Sequence, residues 1–250
     1  MNKLVVLIPT YNEAVSIVEL LDNLAKYRPE SIYPFDVVVI DDNSPDGTAA
    51  IVDNLAISWV TIVHRPGKGG LGAAYRAGFA QVLQDSEYTH VVTMDADGSH
   101  RVADLPAMFA AIQPGRSITL GTRWIPGGSV VNWPKSRQLL SKAGTKYAKL
   151  ALGINLNDLT GGFRIYSVEL LKALRLSDMA ATGYCFQIEM AMAADLAGAV
   201  ATEVPITFVE RINGVSKMSK AIVVEALTQT TRWGLARRLR PNADKLHYVK

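Results

Sequence analysis

Short apolar runs rich in β-branched residues punctuate the chain. They fall at 4–8 (LVVLI), 36–41 (DVVVID), 60–63 (VTIV), 90–94 (HVVTM) and 117–121 (SITLG), with a last one at 204–209 (VPITFV). Runs this uniformly apolar suit strands covered on both faces. Between them, helical periodicity covers about 13–26, 45–56, 70–84 and 102–113. Alternating strands and helices predict an α/β fold with a mostly parallel sheet and right-handed crossovers. Ser44-Pro45-Asp46 reads as a helix start, with Ser as cap and Pro at the first helical position. After residue 121 the rhythm changes. Residues 122–165 carry Pro, Gly, Trp and Arg around one predicted helix, about 135–152. Helices near 182–197 and 219–238 follow, either side of the last strand. With no linker, repeat or low-complexity tract in sight, the expectation is one domain over 1–250.

Composition alters this picture little; charge placement alters it more. Apolar residues make up 49% of the chain, enough for a sizeable core, and the formal net charge is only +3. Residues 211–250, however, hold nine Lys or Arg against two acids, Glu225 and Asp244. Such a basic end suits an anionic surface, or equally a solvated helix face with a loose terminus. The single cysteine, Cys185, excludes an intramolecular disulfide and fits a reducing compartment. The apolar run at the N-terminus is too short for a signal peptide, and no run of about 18 apolar residues predicts a membrane span.

The chemistry concentrates where strands are predicted to end. VVTMDADGSH, residues 91–100, closes a strand with Asp95 and Asp97. Two carboxylates this close repel each other unless a cation lies between them. Oxygen ligands at i and i+2 suit Mg²⁺ or Mn²⁺. Pro9, Thr10, Tyr11, Asn12 and Glu13 follow the first strand, and Asp41, Asp42 and Asn43 the second. In open α/β sheets ligands bind outside such strand ends. One rival is visible. Gly67, Gly69 and Gly72 in GKGGLG satisfy the dinucleotide spacing G-x-G-x-x-G, which would suit an NAD-dependent dehydrogenase. Against it, the pattern follows the third strand rather than the first, Lys68 suits another kind of phosphate-facing loop, and Asp95 belongs to a pair. No G-x-x-x-x-G-K-[ST] phosphate loop occurs.

IPTYNE, VVIDDNSPDGT, GKGGLGAAYRAGF and MDADGSH together resemble the family-2 glycosyltransferases, which have the GT-A fold. GTRWIPGG, NWPKSRQLLS, DLTGGFRIY, GYCFQIE and TEVPITFVERINGVSKMS narrow the resemblance to polyprenol-phosphate mannose synthases of the dolichol-phosphate mannosyltransferase type, above all bacterial, actinobacterial-like catalytic domains. It covers about residues 3–236. Some relatives carry Gln where this chain has Ser99, so a hydroxyl or a backbone carbonyl would replace that metal ligand.

The resemblance implies GDP-mannose as donor, a polyprenyl monophosphate as acceptor, Mg²⁺ or Mn²⁺ as cofactor, and inversion to a β-linked product. It assigns Asp95, Asp97 and Ser99 to the metal. Pro9, Tyr11, Glu13, Asp42, Lys68, Arg211 and Lys217 go to the donor. Arg123, Arg137 and Ser141 go to the acceptor phosphate, with Asp97, Arg123 and Arg137 central to catalysis. Arg137 and Ser141 are i, i+4 and share a helix face. Asp158, Arg164, Gln187, Glu189 and Ser216 are further candidates; Glu189 would hold sugar hydroxyls or pair with an arginine, and His100 is read as structural. On this view 1–121 serves the nucleotide sugar, 122–218 the acceptor, and 219–250 forms an amphipathic helix and basic tail. The expected setting is peripheral, on the cytoplasmic face of a membrane and without nucleic acid. Residues 232–240 would dock, or else the helix at 135–152 or a membrane-spanning partner protein. The competing readings are transfer of glucose from UDP-glucose to polyprenyl phosphate, the dehydrogenase, and a non-catalytic nucleotide-sugar binder.

Overall fold

Each predicted apolar run becomes a strand. In the computed structural model, which describes residues 2–85, 87–181, 183, 185–210, 220–240, 245 and 247–250, they are β1 (Leu4–Thr10), β2 (Phe35–Asp41), β3 (Val60–His64), β4 (His90–Thr93) and β5 (Ser117–Thr122). The run at 204–209 divides between β8 (Val200–Pro205) and β9 (Thr207–Val209). Two strands went unpredicted, β6 (Ser129–Val131) and β7 (Arg164–Ser167). The main sheet has the order β3-β2-β1-β4-β7-β5-β8, and β6 pairs with β9 in a separate parallel ribbon. All neighbours in the main sheet are parallel except β7, which runs antiparallel to both β4 and β5. Pro205 is tolerated because β8 lies at the sheet edge.

The helices are α1 (Ile17–Tyr27), α2 (Thr48–Leu55), α3 (Leu71–Val82), α4 (Leu105–Ala110), α5 (Lys135–Leu152), α6 (Val168–Ala173), α7 (Cys185–Leu196) and α8 (Lys220–Leu239). α2 starts later than its Ser-Pro-Asp signal predicts. Ser44 is diverted to Asp41, and the Asp46 carboxylate instead accepts from the Thr48 N–H at 3.1 Å. Alternation along β1 builds the core on both faces of the sheet. Val5 and Leu7 join one cluster with Tyr75, Phe79 and Phe186; Leu4, Val6 and Ile8 join another with Leu21, Phe35 and Phe109. α3 rides close on the first face because of Gly78: a Cβ there would lie 2.5 Å from Ile40 Cδ1.

The chain end is not a loose tail. Leu174 and Val249 form a bridge, the Arg175 N–H donates to the Tyr248 carbonyl at 2.9 Å, and Tyr248 is buried. α8 lies beside α5 and runs in the same direction. Tyr147 Oη meets Thr231 Oγ1 at 2.5 Å, and a Cβ on Gly234 would lie 2.4 Å from the Ala151 carbonyl. Only glycine permits that approach.

His90, at the start of β4, is buried, and its Nε2 has no hydrogen-bond partner among the described residues. Burial holds its pKa down at about 4, against an ordinary 6.5. Between these values the unfolded chain binds a proton that the folded chain refuses, so stability falls as pH drops from 6.5 towards 4. Urea denaturation across that range should show the parent losing about 3 kcal/mol more than His90→Gln. Parallel curves for the two proteins would refute it.

Candidate active site

The order β2-β1-β4 puts a topological switch between β1 and β4, the place where open α/β sheets bind ligands. Buried carboxylates lock the strand ends around it. Asp41 Oδ1 accepts from Thr10 Oγ1 at 2.8 Å, and Asp41 Oδ2 accepts from the Ser44 N–H at 2.8 Å. Asn12 and Asn43 take left-handed φ values, 61° and 56°, and turn the chain away from β1 and β2. Beyond β4, the Asp95 N–H donates to His100 Nδ1 at 2.9 Å. The His100 ring is buried against Phe163, with centroids 5.0 Å apart. His100 thus shapes the D-x-D turn from beneath.

On the β1–β2 side, Lys68 Nζ sits 4.2 Å above the Tyr11 ring, so two predicted donor residues meet. Asp42 is buried, pairs with Arg65 and accepts from the Gly69 N–H at 2.9 Å. Glu13 Oε2 accepts from Ser16 Oγ at 3.0 Å. Pro9 lies within β1, partly exposed. The glycines of GKGGLG do packing work here. The Gly69 N–H serves Asp42, and a Cβ on Gly72 would lie 2.3 Å from the Ala181 carbonyl.

A cavity of about 410 Å³ brings Asp95 and Asp97 together with Arg123, Arg137 and Ser141. Leu140, Ala143, Tyr147, Ala226 and Leu227 from α5 and α8 make much of its wall apolar. A second cleft, lined by Asn12, Glu13 and Glu210, shares Asp97 with it, so Asp97 stands at the border of the two. Arg137 stacks on Trp133 at 4.0 Å and pairs with Glu210, a partner that the sequence did not suggest.

Several expectations need correcting. Arg123 is not an open clamp. Its Nε donates to Asp158 Oδ2 at 2.6 Å, and its Nη2 donates to Asp158 Oδ1 at 2.8 Å and to Thr160 Oγ1 at 2.9 Å. Only its Nη1 edge is left for a ligand. Asp158 is therefore a structural counter-ion. Burial pushes its carboxyl up, but Arg123 more than offsets this and holds it below the usual range. Arg164 is fully buried and bonds backbone carbonyls. Glu189 lines neither cavity. It is buried, takes the Ala181 N–H at 3.1 Å and the Tyr248 hydroxyl at 3.3 Å, and burial raises its pKa. Gln187, by contrast, lines the cavity. Cys185 is buried and its thiol is pushed up to about 11, so it is no nucleophile. Arg211, Ser216 and Lys217 lie outside the described residues.

The family model "Glycosyl transferase family 2" matches residues 5–175. The chain belongs to that family. It is a glycosyltransferase, and the dehydrogenase reading falls. Undecaprenyl-phosphate mannosyltransferase of Micrococcus luteus is 45% identical over 238 residues, which is 94% of this chain and 96% of that one. Polyprenol monophosphomannose synthase of Mycolicibacterium smegmatis is 41% identical over 241 residues, 95% of this chain and 89% of that one. Among solved structures, glucosyl-3-phosphoglycerate synthase from Mycobacterium tuberculosis, in complex with Mn²⁺, UDP and phosphoglyceric acid, matches with a TM-score of 0.63 at 17% identity. The match covers 95% of this chain and 78% of that one, and it places this family-2 member in the GT-A fold.

The Arg123–Asp158 pair makes a test of the architecture. Removing one partner of a buried ion pair leaves an uncompensated charge, at a cost of about 3–5 kcal/mol. Asp158→Ala should lose stability of that order in urea denaturation, and Asp158→Asn somewhat less. A loss below about 1 kcal/mol for the alanine variant would show that the pair is not needed to hold the cavity.

Proposed function

We propose that this glycosyltransferase moves mannose from GDP-mannose to a polyprenyl monophosphate, with inversion, giving polyprenyl phosphate β-mannose and GDP. One observation carries the reading: a single apolar-walled cavity holds both the D-x-D carboxylates and a phosphate-binding set, Arg137, Ser141 and the open edge of Arg123. The names of the two bacterial relatives point the same way. In this reading residues 1–121 serve chiefly the nucleotide sugar and residues 122–218 chiefly the acceptor.

The residues fit a hard divalent cation. Asp95 and Asp97 supply two carboxylates, and the Ser99 hydroxyl is buried without a partner among the described residues. The Ser99 carbonyl already accepts from the Val209 N–H at 3.2 Å, which favours the unpartnered hydroxyl as that residue's ligand atom. No group of three His, Cys, Asp or Glu suited to a metal occurs among the described residues, so diphosphate and water would complete the shell. Mg²⁺ or Mn²⁺ there would neutralise charge developing on the departing GDP. Tyr11 and Lys68 bind the nucleotide end beside Asp42, and Arg137 orients the acceptor phosphate. That phosphate has its second pKa near 6 and is already a dianion at neutral pH, so no general base is required. Catalysis is positioning and electrostatics.

No helix of the described residues is long and apolar enough to cross a membrane. Contact with the lipid falls to α5 and α8, which expose Leu139 (70%), Leu150 (76%) and Leu239 (76%) beside Lys135, Lys146 and Arg240. Two of the basic residues expected to anchor the chain are engaged elsewhere: Arg237 pairs with Asp195 at 2.7 Å, and Arg238 donates to the Leu150 carbonyl at 3.0 Å. Apolar insertion therefore leads and charge assists.

Purified protein, given labelled GDP-mannose and polyprenyl phosphate, should move label into the solvent-extractable lipid, and chelator should stop it. Preference for UDP-glucose, or no lipid product, would overturn the assignment. Arg137→Ala should lower acceptor use by about ten- to a hundred-fold while calorimetric GDP-mannose affinity stays within about two-fold. An equal fall in donor affinity would place Arg137 on the donor side instead.

Co-sedimentation with anionic vesicles tests the docking face. Replacing Leu139, Leu150 and Leu239 together by Ser should reduce binding roughly ten-fold or more, at low and at high salt. Arg237→Gln with Arg238→Gln should reduce it less, and chiefly at low salt. The opposite ranking would return docking to the basic end of α8.

A further inference from the structure

Gln187 occupies the first turn of α7, a helix whose residues from Cys185 to Ala194 are all buried. Its surroundings leave it little freedom. Its carbonyl accepts from Arg164 Nη1 at 2.6 Å, and the preceding Phe186 stacks on Tyr75 with ring centroids 6.0 Å apart. The residue is 2% exposed, yet neither Nε2 nor Oε1 has a hydrogen-bond partner among the described residues. An amide held in that way destabilises the fold, because its desolvation is not compensated. An apolar side chain of the same shape would serve packing better.

The amide borders the cavity that holds Asp95, Asp97 and Arg137. The point where a Cβ on Gly162 would lie is 3.3 Å from Gln187 Nε2, 3.5 Å from His100 Cε1 and 3.7 Å from Asp95 Oδ1. With glycine at 162, that residue puts no side chain into the space beside the amide, His100 and the carboxylate. A hexose joined to a diphosphate at Asp95 and Asp97 comes within reach of it.

We propose that the Gln187 side-chain amide binds a hydroxyl of the transferred hexose and thereby sets which sugar the cavity accepts. This rests on the reading of the cavity as a nucleotide-sugar site. The chemistry favours a hydroxyl over the acceptor phosphate. A phosphate dianion only accepts hydrogen bonds, so it would meet one useful end of the amide and be repelled by the carbonyl. A sugar hydroxyl donates and accepts, as the amide does. The Arg137 guanidinium and the Ser141 hydroxyl already supply donors suited to phosphate.

The test compares the parent with Gln187→Met, which keeps the shape and removes both hydrogen-bonding ends. GDP affinity by calorimetry should be unchanged, and the melting temperature should stay level or rise. kcat/KM for GDP-mannose should fall about a hundred-fold or more. The decisive arm uses the 2-, 3-, 4- and 6-deoxymannose analogues of the donor. The parent should discriminate strongly against one of them, and in Gln187→Met that discrimination should shrink to less than about three-fold. Unchanged kcat/KM, or a loss equal for mannose and every deoxy donor, would overturn the proposal and leave Gln187 a packing residue. Should the parent use another nucleotide hexose, the donor assignment fails alone. The same comparison, made with that sugar and its deoxy forms, still decides the role of Gln187.

Discussion

Arg164 has no exposed surface, and a guanidinium in that position must satisfy its N–H groups from protein. It does so with carbonyls from two parts of the chain. Nε reaches Gly161 at 2.9 Å, Nη2 reaches Leu159 at 3.0 Å, and Nη1 reaches Gln187. Nearby Asp158 supplies the counter-charge, and also accepts the Gly161 N–H at 3.1 Å while gripping Arg123. One carboxylate and two guanidiniums therefore fix the segment 158–164, the start of α7 and the cavity-lining Arg123 as a single unit. The floor of the cavity is the surface of that unit.

The reversal of β7 gives this unit its place. In a parallel sheet only the carboxyl ends of strands reach the binding edge. β7 runs the other way, so its amino end, Arg164, arrives opposite Thr93 at the end of β4. The Thr93 hydroxyl donates to the Gly162 carbonyl at 2.7 Å, which brings the glycine pair beside Asp95. One antiparallel strand thus adds a loop to the site that another crossover would have delivered to the opposite edge.

Legibility in the sequence followed from how each element is stabilised. β1, β2, β4 and β5 were readable because their residues are buried on both faces and so nearly all apolar, and β3, a half-exposed edge strand, by its β-branched run Val60–Val63. β7 was not, since RIYS opens on an arginine that only tertiary partners make tolerable in the interior. Nor was β6, which has three residues and exists by pairing with β9. The site was legible where local spacing decides: Asp95 with Asp97, and Arg137 with Ser141. It was not legible where long-range pairing decides, as with Arg123 and Asp158, Arg137 and Glu210, or Asp42 and Arg65. Those pairings turn apparent ligands into partly committed charges, and no local pattern records them.

That commitment has a chemical consequence. Bare arginines lining an apolar cavity would repel each other and cost desolvation. Here Arg123 is balanced by Asp158, and Arg137 by Glu210, so the cavity can exist before an anion enters. The two pairs are not alike. Asp158 is buried and bonded from several sides, whereas Glu210 is partly exposed, 22% at its side chain, and lies in the cleft beyond Asp97. Under the proposed function, an arriving phosphate would displace the second counter-ion far more cheaply than the first. On the proposed reading Arg123, cushioned by Trp124, Trp133 and Phe208, would stay a fixed positive wall while Arg137 changed partner. Stacking on Trp133 holds the Arg137 guanidinium in plane, so on the proposed reading the cation that would grip an incoming phosphate is oriented before the phosphate arrives.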